Sequence, residues 1–294
     1  MTFYEIEFPL SVLTSEAVEA ALLEIGASSI TFSDRGDEPV LEPKPGEVRL
    51  WSDTLVRALF DESHDPALAI HGLAIRLGPH ITAAARVRAV EARDWERVWL
   101  ADWKSLRFGR RLWVCPTTAA APEDASAVVV RLDPGLAFGT GSHPTTALCL
   151  QLLDALPLSG LSVIDYGCGS GILGIAALML GAAQVTAVDL DPQALIATRE
   201  NAIRNGVSAK LETQTVPAEL RPANCVVANI LEQPLIELAP TLTAACAAKG
   251  DLILSGILKT QAYAVKAAYT SAFDIVQVVQ RDDWCCIHAR ILGS

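Results

Sequence analysis

Long apolar runs are missing from this 294-residue chain. No uninterrupted stretch reaches membrane-spanning length, so a helical membrane protein is not expected. Cysteines paired at metal-site or redox-site spacing are missing as well. Cys115, Cys149, Cys168, Cys225, Cys246, Cys285 and Cys286 form no C-x-x-C pair. Most lie in apolar segments and read as small core residues of a cytoplasmic chain kept reduced. Cys285 and Cys286 are adjacent and would make poor ligands together, and the five histidines are scattered at 64, 71, 80, 143 and 288, so no metal site is expected. Basic charge is also short: 23 Lys+Arg face 34 Asp+Glu, a net of −11. Such a surface repels phosphate backbones, and direct nucleic-acid binding is not expected. The opening FYEIEFPL is too short and too acidic to read as a secretory signal. Internal repeats and low-complexity segments are absent.

What is present is globular. Apolar residues make up 51%, and the length suits one large or two moderate domains. The negative charge is concentrated: residues 1–65 hold 14 acids against 4 bases, while the remainder nearly balances. Alternation predicts strands over 3–8, 28–32, 48–51, 55–60 and 86–91, with helices over 15–25, capped by Thr14 or Ser15, and 66–77. That βαββαβ-like order suggests a small ferredoxin-like α+β plait over 1–78. Residues 79–93 are expected to form a flexible connector, leaving 94–294 as the larger domain. Its first segment, 94–104, reads as a helix with Trp95, Trp99 and Trp103 on one face, either core packing or a wall of a cleft.

The rest reads as a doubly wound α/β sheet. Strands are expected over 161–166, 184–189, 209–213, 224–229 and 250–255, with helices over 172–180, 192–204, 232–247 and 260–270. A closing antiparallel pair is expected over 273–279 and 284–291. Such a sheet places its site at the C-terminal strand ends.

Three constellations should meet there. VIDYGCGSG, residues 163–171, is an apolar strand ending in an acid and a glycine turn, and runs into the apolar ILGIAALML. The next strand, QVTAVDLD, ends in Asp189 and Asp191. Together they describe a nucleoside pocket, in which Gly167 and Gly169 allow close backbone approach and Asp189 accepts hydrogen bonds from ribose hydroxyls. Asp191, ahead of Pro192, reads as a helix cap. Gly169, Gly171 and Gly174 also match the dinucleotide fingerprint, but Asp165 before the first glycine favours S-adenosylmethionine. A methyltransferase for another substrate, such as a nucleic acid or small molecule, a nicotinamide-dependent dehydrogenase and a binding module without turnover stand as rivals.

The second constellation is DPGLAFGTGSHPTT, residues 133–146, a folded-over loop rich in glycine and hydroxyls. Thr145 caps a helix or bonds the cofactor, and His143 is a base or a structural residue. The third is CVVANILEQP, residues 225–234. Asn229 ends an apolar strand, where an amide needs a partner. With the carbonyl of Ile230 it could hold an amine and aim its lone pair at a methyl group; the alternative is a cap for the following helix.

In this order the motifs, with DWERVWLADWKSLRFGRRLWVCP upstream and SGIL and DDWCCIHAR downstream, resemble the PrmA family, bacterial methyltransferases of the eleventh protein of the large ribosomal subunit. The resemblance implies a class I methyltransferase fold preceded by the plait. The plait would hold the basic ribosomal protein, and the larger domain would methylate lysine ε-amines and the N-terminal α-amine from S-adenosylmethionine. It carries Thr145, Gly167, Asp189 and Asn229 over as cofactor and active-site positions, sets Phe138 and His143 beside them, and assigns the carbonyl to Ile230. The sequence departs from the family at Glu232, where a small residue is usual. Glu232 is expected either as an exposed first-turn helix residue or facing the cleft.

Overall fold

The computed structural model describes residues 2–11, 13–36, 50–91, 104–133, 143–217 and 219–292. The chain divides into two compact units, Met1–Val98 and Trp99–Ser294.

Alternation builds the first unit. In β1 (Thr2–Pro9), Tyr4, Ile6 and Phe8 are buried while the intervening side chains are half-buried. β2 (Ser29–Asp34), β3 (Thr54–Asp61) and β4 (Arg86–Glu91) complete an antiparallel sheet of order β2-β3-β1-β4. Helices Ser15–Glu24 and Pro66–Leu77 bring Val18, Leu22 and Leu73 into the same core. Each begins on a side-chain cap: Thr14 accepts from Ala17 N at 3.3 Å and Asp65 from Ala67 N at 2.8 Å. This is the plait expected from sequence. Two details differ. Leu50 and Trp51 are not in a strand, and Val48 lies outside the described residues. The expected connector over 79–93 is occupied through residue 91 by a short helix, His80–Ala84, and by β4, which pairs with β1. A strand hydrogen-bonded along its length belongs to the sheet, so that stretch is part of the first unit.

The second unit is a seven-stranded sheet of order β10-β9-β8-β11-β12-β14-β13. β8 (Ser162–Tyr166), β9 (Gln184–Asp189), β10 (Leu211–Thr215), β11 (Ala223–Asn229) and β12 (Cys246–Leu258) are parallel. β14 (Trp284–Ile291) runs antiparallel between β12 and β13 (Phe273–Arg281). The central strands read as continuous buried runs, as strands covered on both faces must. Helices Pro144–Ala155, Ile172–Met179 and Pro192–Arg204 share one core, and Glu232–Glu237, Ala239–Ala244 and Ala262–Tyr269 share the other. The order reverses between β8 and β11, which makes their C-terminal ends the place for a ligand. This is the doubly wound sheet of class I methyltransferases.

The single helix expected over 232–247 is two helices, and β12 starts at Cys246 instead of 250. Pro240 has no N–H to continue the first helix and its ring crowds the preceding turn. A small sheet of β5 (Leu106–Phe108), β6 (Leu112–Cys115) and β7 (Val128–Arg131), not expected from sequence, buries Phe108, Leu112, Val114 and Val130 in the first of these cores.

Candidate active site

The turn after β8 is built by glycine stereochemistry. Gly167, Gly169 and Gly171 have φ of +75°, +53° and +77°, a region that costs other residues roughly 1–2 kcal/mol each. A Cβ on Gly167 would lie 2.3 Å from Ile230 Cγ2, so the turn and the end of β11 touch only because that atom is missing. The helix Ile172–Met179 follows directly.

Three carboxylates and one amide, from buried Asp165 to exposed Asp191, carry the polar groups at these strand ends. Asp165 is fully buried. Its Oδ2 accepts from Gly174 N at 2.8 Å, while its Oδ1 is buried with no partner among the described residues. Burial pushes this carboxyl up to about 7, with a smaller push from Asp189 against the Gly174 hydrogen bond. Asp189, at the end of β9, accepts from Gly169 N at 2.9 Å and from Asp191 N at 3.0 Å. Asp191 caps the helix Pro192–Arg204 by accepting from Gln193 N at 2.9 Å. Asn229, at the end of β11, donates from Nδ2 to Thr146 Oγ1 at 3.2 Å. Its Oδ1 is buried and has no partner among the described residues. It does not cap the next helix, whose cap position is Leu231 without a side-chain hydrogen bond.

His143 is the cap of the helix Pro144–Ala155. Its Nδ1 lies 2.8 Å from Thr145 Oγ1 and accepts from Thr145 N at 3.4 Å. Its ring meets Trp284 edge-on at 4.9 Å. Desolvation lowers its pKa, favouring the neutral ring. Thr145 is buried, so the cap is His143 and not Thr145. Glu232 stands half-buried in the first turn of its helix. Phe138, the glycines at 135, 139 and 141, and Trp95, Trp99 and Trp103 lie outside the described residues.

Topology thus brings Gly167, Gly169, Asp189, Asn229 and Ile230 together at the C-terminal strand ends, with Thr145 and His143 reached through Thr146. Sequence reasoning passed over Ser255 and Gly256. Ser255 Oγ donates to the carbonyls of Thr145 (3.3 Å) and Cys285 (3.1 Å), and the Ser255 carbonyl accepts from Ile230 N at 3.1 Å. Gly256 has φ +87°, and a Cβ there would stand 2.3 Å from the Ile230 carbonyl oxygen. Their only sequence signal is the SGIL at residues 255–258.

A family model described as Ribosomal protein L11 methyltransferase (PrmA) matches residues 2–291. The chain belongs to that family. Among curated members, the Ribosomal protein L11 methyltransferase of Escherichia coli O81 (strain ED1a) is 49% identical over 295 residues, covering 99% of each chain. That of Mannheimia succiniciproducens is 47% identical over 296 residues, 99% of this chain and 100% of its own. Of solved structures, a crystal structure of ribosomal protein L11 methylase from Lactobacillus delbrueckii subsp. bulgaricus is 31% identical with a TM-score of 0.60, over 64% of this chain and 99% of that one. For a member of a methyltransferase family, the buried Asp165 Oδ1, without a partner among the described residues, and the glycine-lined turn suit S-adenosylmethionine: a polar group left to be satisfied and a backbone no Cβ obstructs.

Proposed function

We propose that this chain transfers methyl groups from S-adenosylmethionine to lysine ε-amines and the N-terminal α-amine of ribosomal protein L11, in the cytoplasm, with the first unit holding that basic substrate. Gly167, Gly169 and Asp189 would hold the cofactor, joined by Thr145 and Phe138. When bound, the cofactor supplies a methyl group on a positively charged sulfur that departs with the C–S electron pair. The chain's own part is to hold and dehydrate the amine. Free lysine has a pKa of about 10.4, and withdrawal from water favours its neutral form. The Asn229 Oδ1 then accepts an amine N–H, with the Ile230 carbonyl as second acceptor, and the nitrogen lone pair is left to point at the methyl group. Positioning of this kind accounts for much of the acceleration of a displacement. His143 serves as a positioning residue: its Nδ1 is engaged by Thr145, which anchors the helix that carries Thr146 to Asn229.

The observation that carries this reading is the buried Oδ1 of Asn229 beside the glycine turn, which has no partner among the described residues. Incubation with S-adenosylmethionine and unmethylated L11, followed by intact mass measurement, should add methyl masses to L11. Asn229→Ala should slow that addition about a hundredfold. Transfer to another molecule instead of L11 would overturn the substrate, and undiminished transfer by Asn229→Ala would overturn the role of the amide.

A further inference from the structure

The helix Pro192–Arg204 carries two buried polar side chains that this chemistry does not use. Thr198 is fully buried and Asn201 nearly so. Three residues apart, they share one helix face, and that face meets the back of the glycine turn. The Thr198 hydroxyl donates to the Gly169 carbonyl at 3.0 Å and lies 3.3 Å from Cys168 Sγ. Asn201 Nδ2 donates to the Ser170 carbonyl at 2.9 Å. The approach is close: a Cβ on Gly171 would lie 2.7 Å from Thr198 Cγ2 and 2.8 Å from its hydroxyl.

Asp189 holds the same turn through the Gly169 N–H, and is itself joined to the start of this helix through Asp191 N. Gly169 is therefore gripped twice, by its N–H from a strand end and by its C=O from a helix. The carboxylate, the helix and the turn form one hydrogen-bonded unit. A turn ordered in advance does not have to be ordered when its ligand arrives, and that saving appears as affinity.

We propose that Thr198 and Asn201 are positioning residues for the cofactor: by tying back the Gly169 and Ser170 carbonyls they hold the glycine turn and Asp189 in their binding arrangement. This rests on the reading that the turn binds S-adenosylmethionine. Thr198→Val keeps the shape and removes the donor. Calorimetric titration with S-adenosylhomocysteine should show Kd raised about tenfold, with KM for S-adenosylmethionine following, while kcat at saturation and KM for the protein substrate change less than about threefold. Thr198→Ser, which restores the hydroxyl, should bind like the wild type. Asn201→Ala, which deletes the second tie together with the hydrogen bond that Asn201 Oδ1 accepts from Arg204, should show the same split whether or not Thr198→Val folds. Wild-type Kd in folded Thr198→Val or Asn201→Ala, or a Thr198→Ser as weak as Thr198→Val, would overturn the proposal. A wild-type chain that does not bind the probe would overturn the cofactor reading instead.

Discussion

Asp165 places a carboxyl at full burial beside a glycine turn, and its protonation couples to folding. Its folded pKa, about 7 against an ordinary 3.8, is raised chiefly by desolvation. The folded chain thus keeps a proton that the unfolded chain releases. Stability is intact below the unfolded value, declines from about pH 4 to about pH 7 by at most about 1.4 kcal/mol per unit, and is level above. Asp165→Asn should abolish that decline, so its urea midpoint relative to wild type should rise between about pH 5 and about pH 8; parallel pH profiles would show that Asp165 does not titrate in this window. Gly256 and Gly206 make a controlled pair. Both have positive φ, +87° and +69°, but a Cβ at 256 meets the Ile230 carbonyl oxygen at 2.3 Å and one at 206 meets no atom of the described residues within 4 Å. Gly206→Ala should cost about 1 kcal/mol of stability and leave kcat unchanged. Gly256→Ala should lower kcat about tenfold or more, because the acceptor carbonyl has to move. Equal kinetics for the two would count against Ile230. The strain at both sites is local, yet only one has a neighbour among the described residues, and that neighbour, Ile230, lies just past the end of another strand.

Among elements, the helix Pro192–Arg204 was legible because its start is written locally: an acid cap, then Pro at the first position. Its end at Arg204 falls where the sequence placed it; the role of the residue that follows was not legible. Asn205 Oδ1 accepts from Arg131 N at 2.7 Å and its Nδ2 donates to Arg131 O at 2.8 Å, so one side chain closes the edge of β7. Asn205→Ala should destabilise the second unit by about 1–2 kcal/mol in urea titration; no change would mean that water replaces the amide without loss. The small sheet escaped prediction because strands of three or four residues carry too little alternation to be separated from loop. The break between Glu237 and Ala239 was readable from Pro240, whose effect outweighs the apolar pattern running through it.

For the molecule as a whole, charge is divided between the ends of the chain. The 14 acids and 4 bases of residues 1–65 belong to the first unit, and Glu16, Glu19 and Glu62 lie on its surface. A basic substrate drawn to that surface should be held less well as salt screens it. The KM for L11 should therefore rise between low and physiological ionic strength, with kcat at saturation little changed. A KM indifferent to salt would remove electrostatic capture and leave shape and apolar contact as the basis of recognition.

From its residues alone, this chain determined its two larger sheets, most of their strand and helix limits, the glycine turn and the acid at the end of β9. Each follows from interactions within a few positions: alternation, capping, the freedom of glycine and the stiffness of proline. Tertiary structure decided which groups meet. Asn229 finds Thr146, Ser255 ties Thr145 to Cys285, and Thr198 reaches Gly169 because parallel crossovers carry remote segments to the same strand ends. Those contacts depend on the order of strands in the sheet, set by the burial of both its faces together, which no short window of sequence contains.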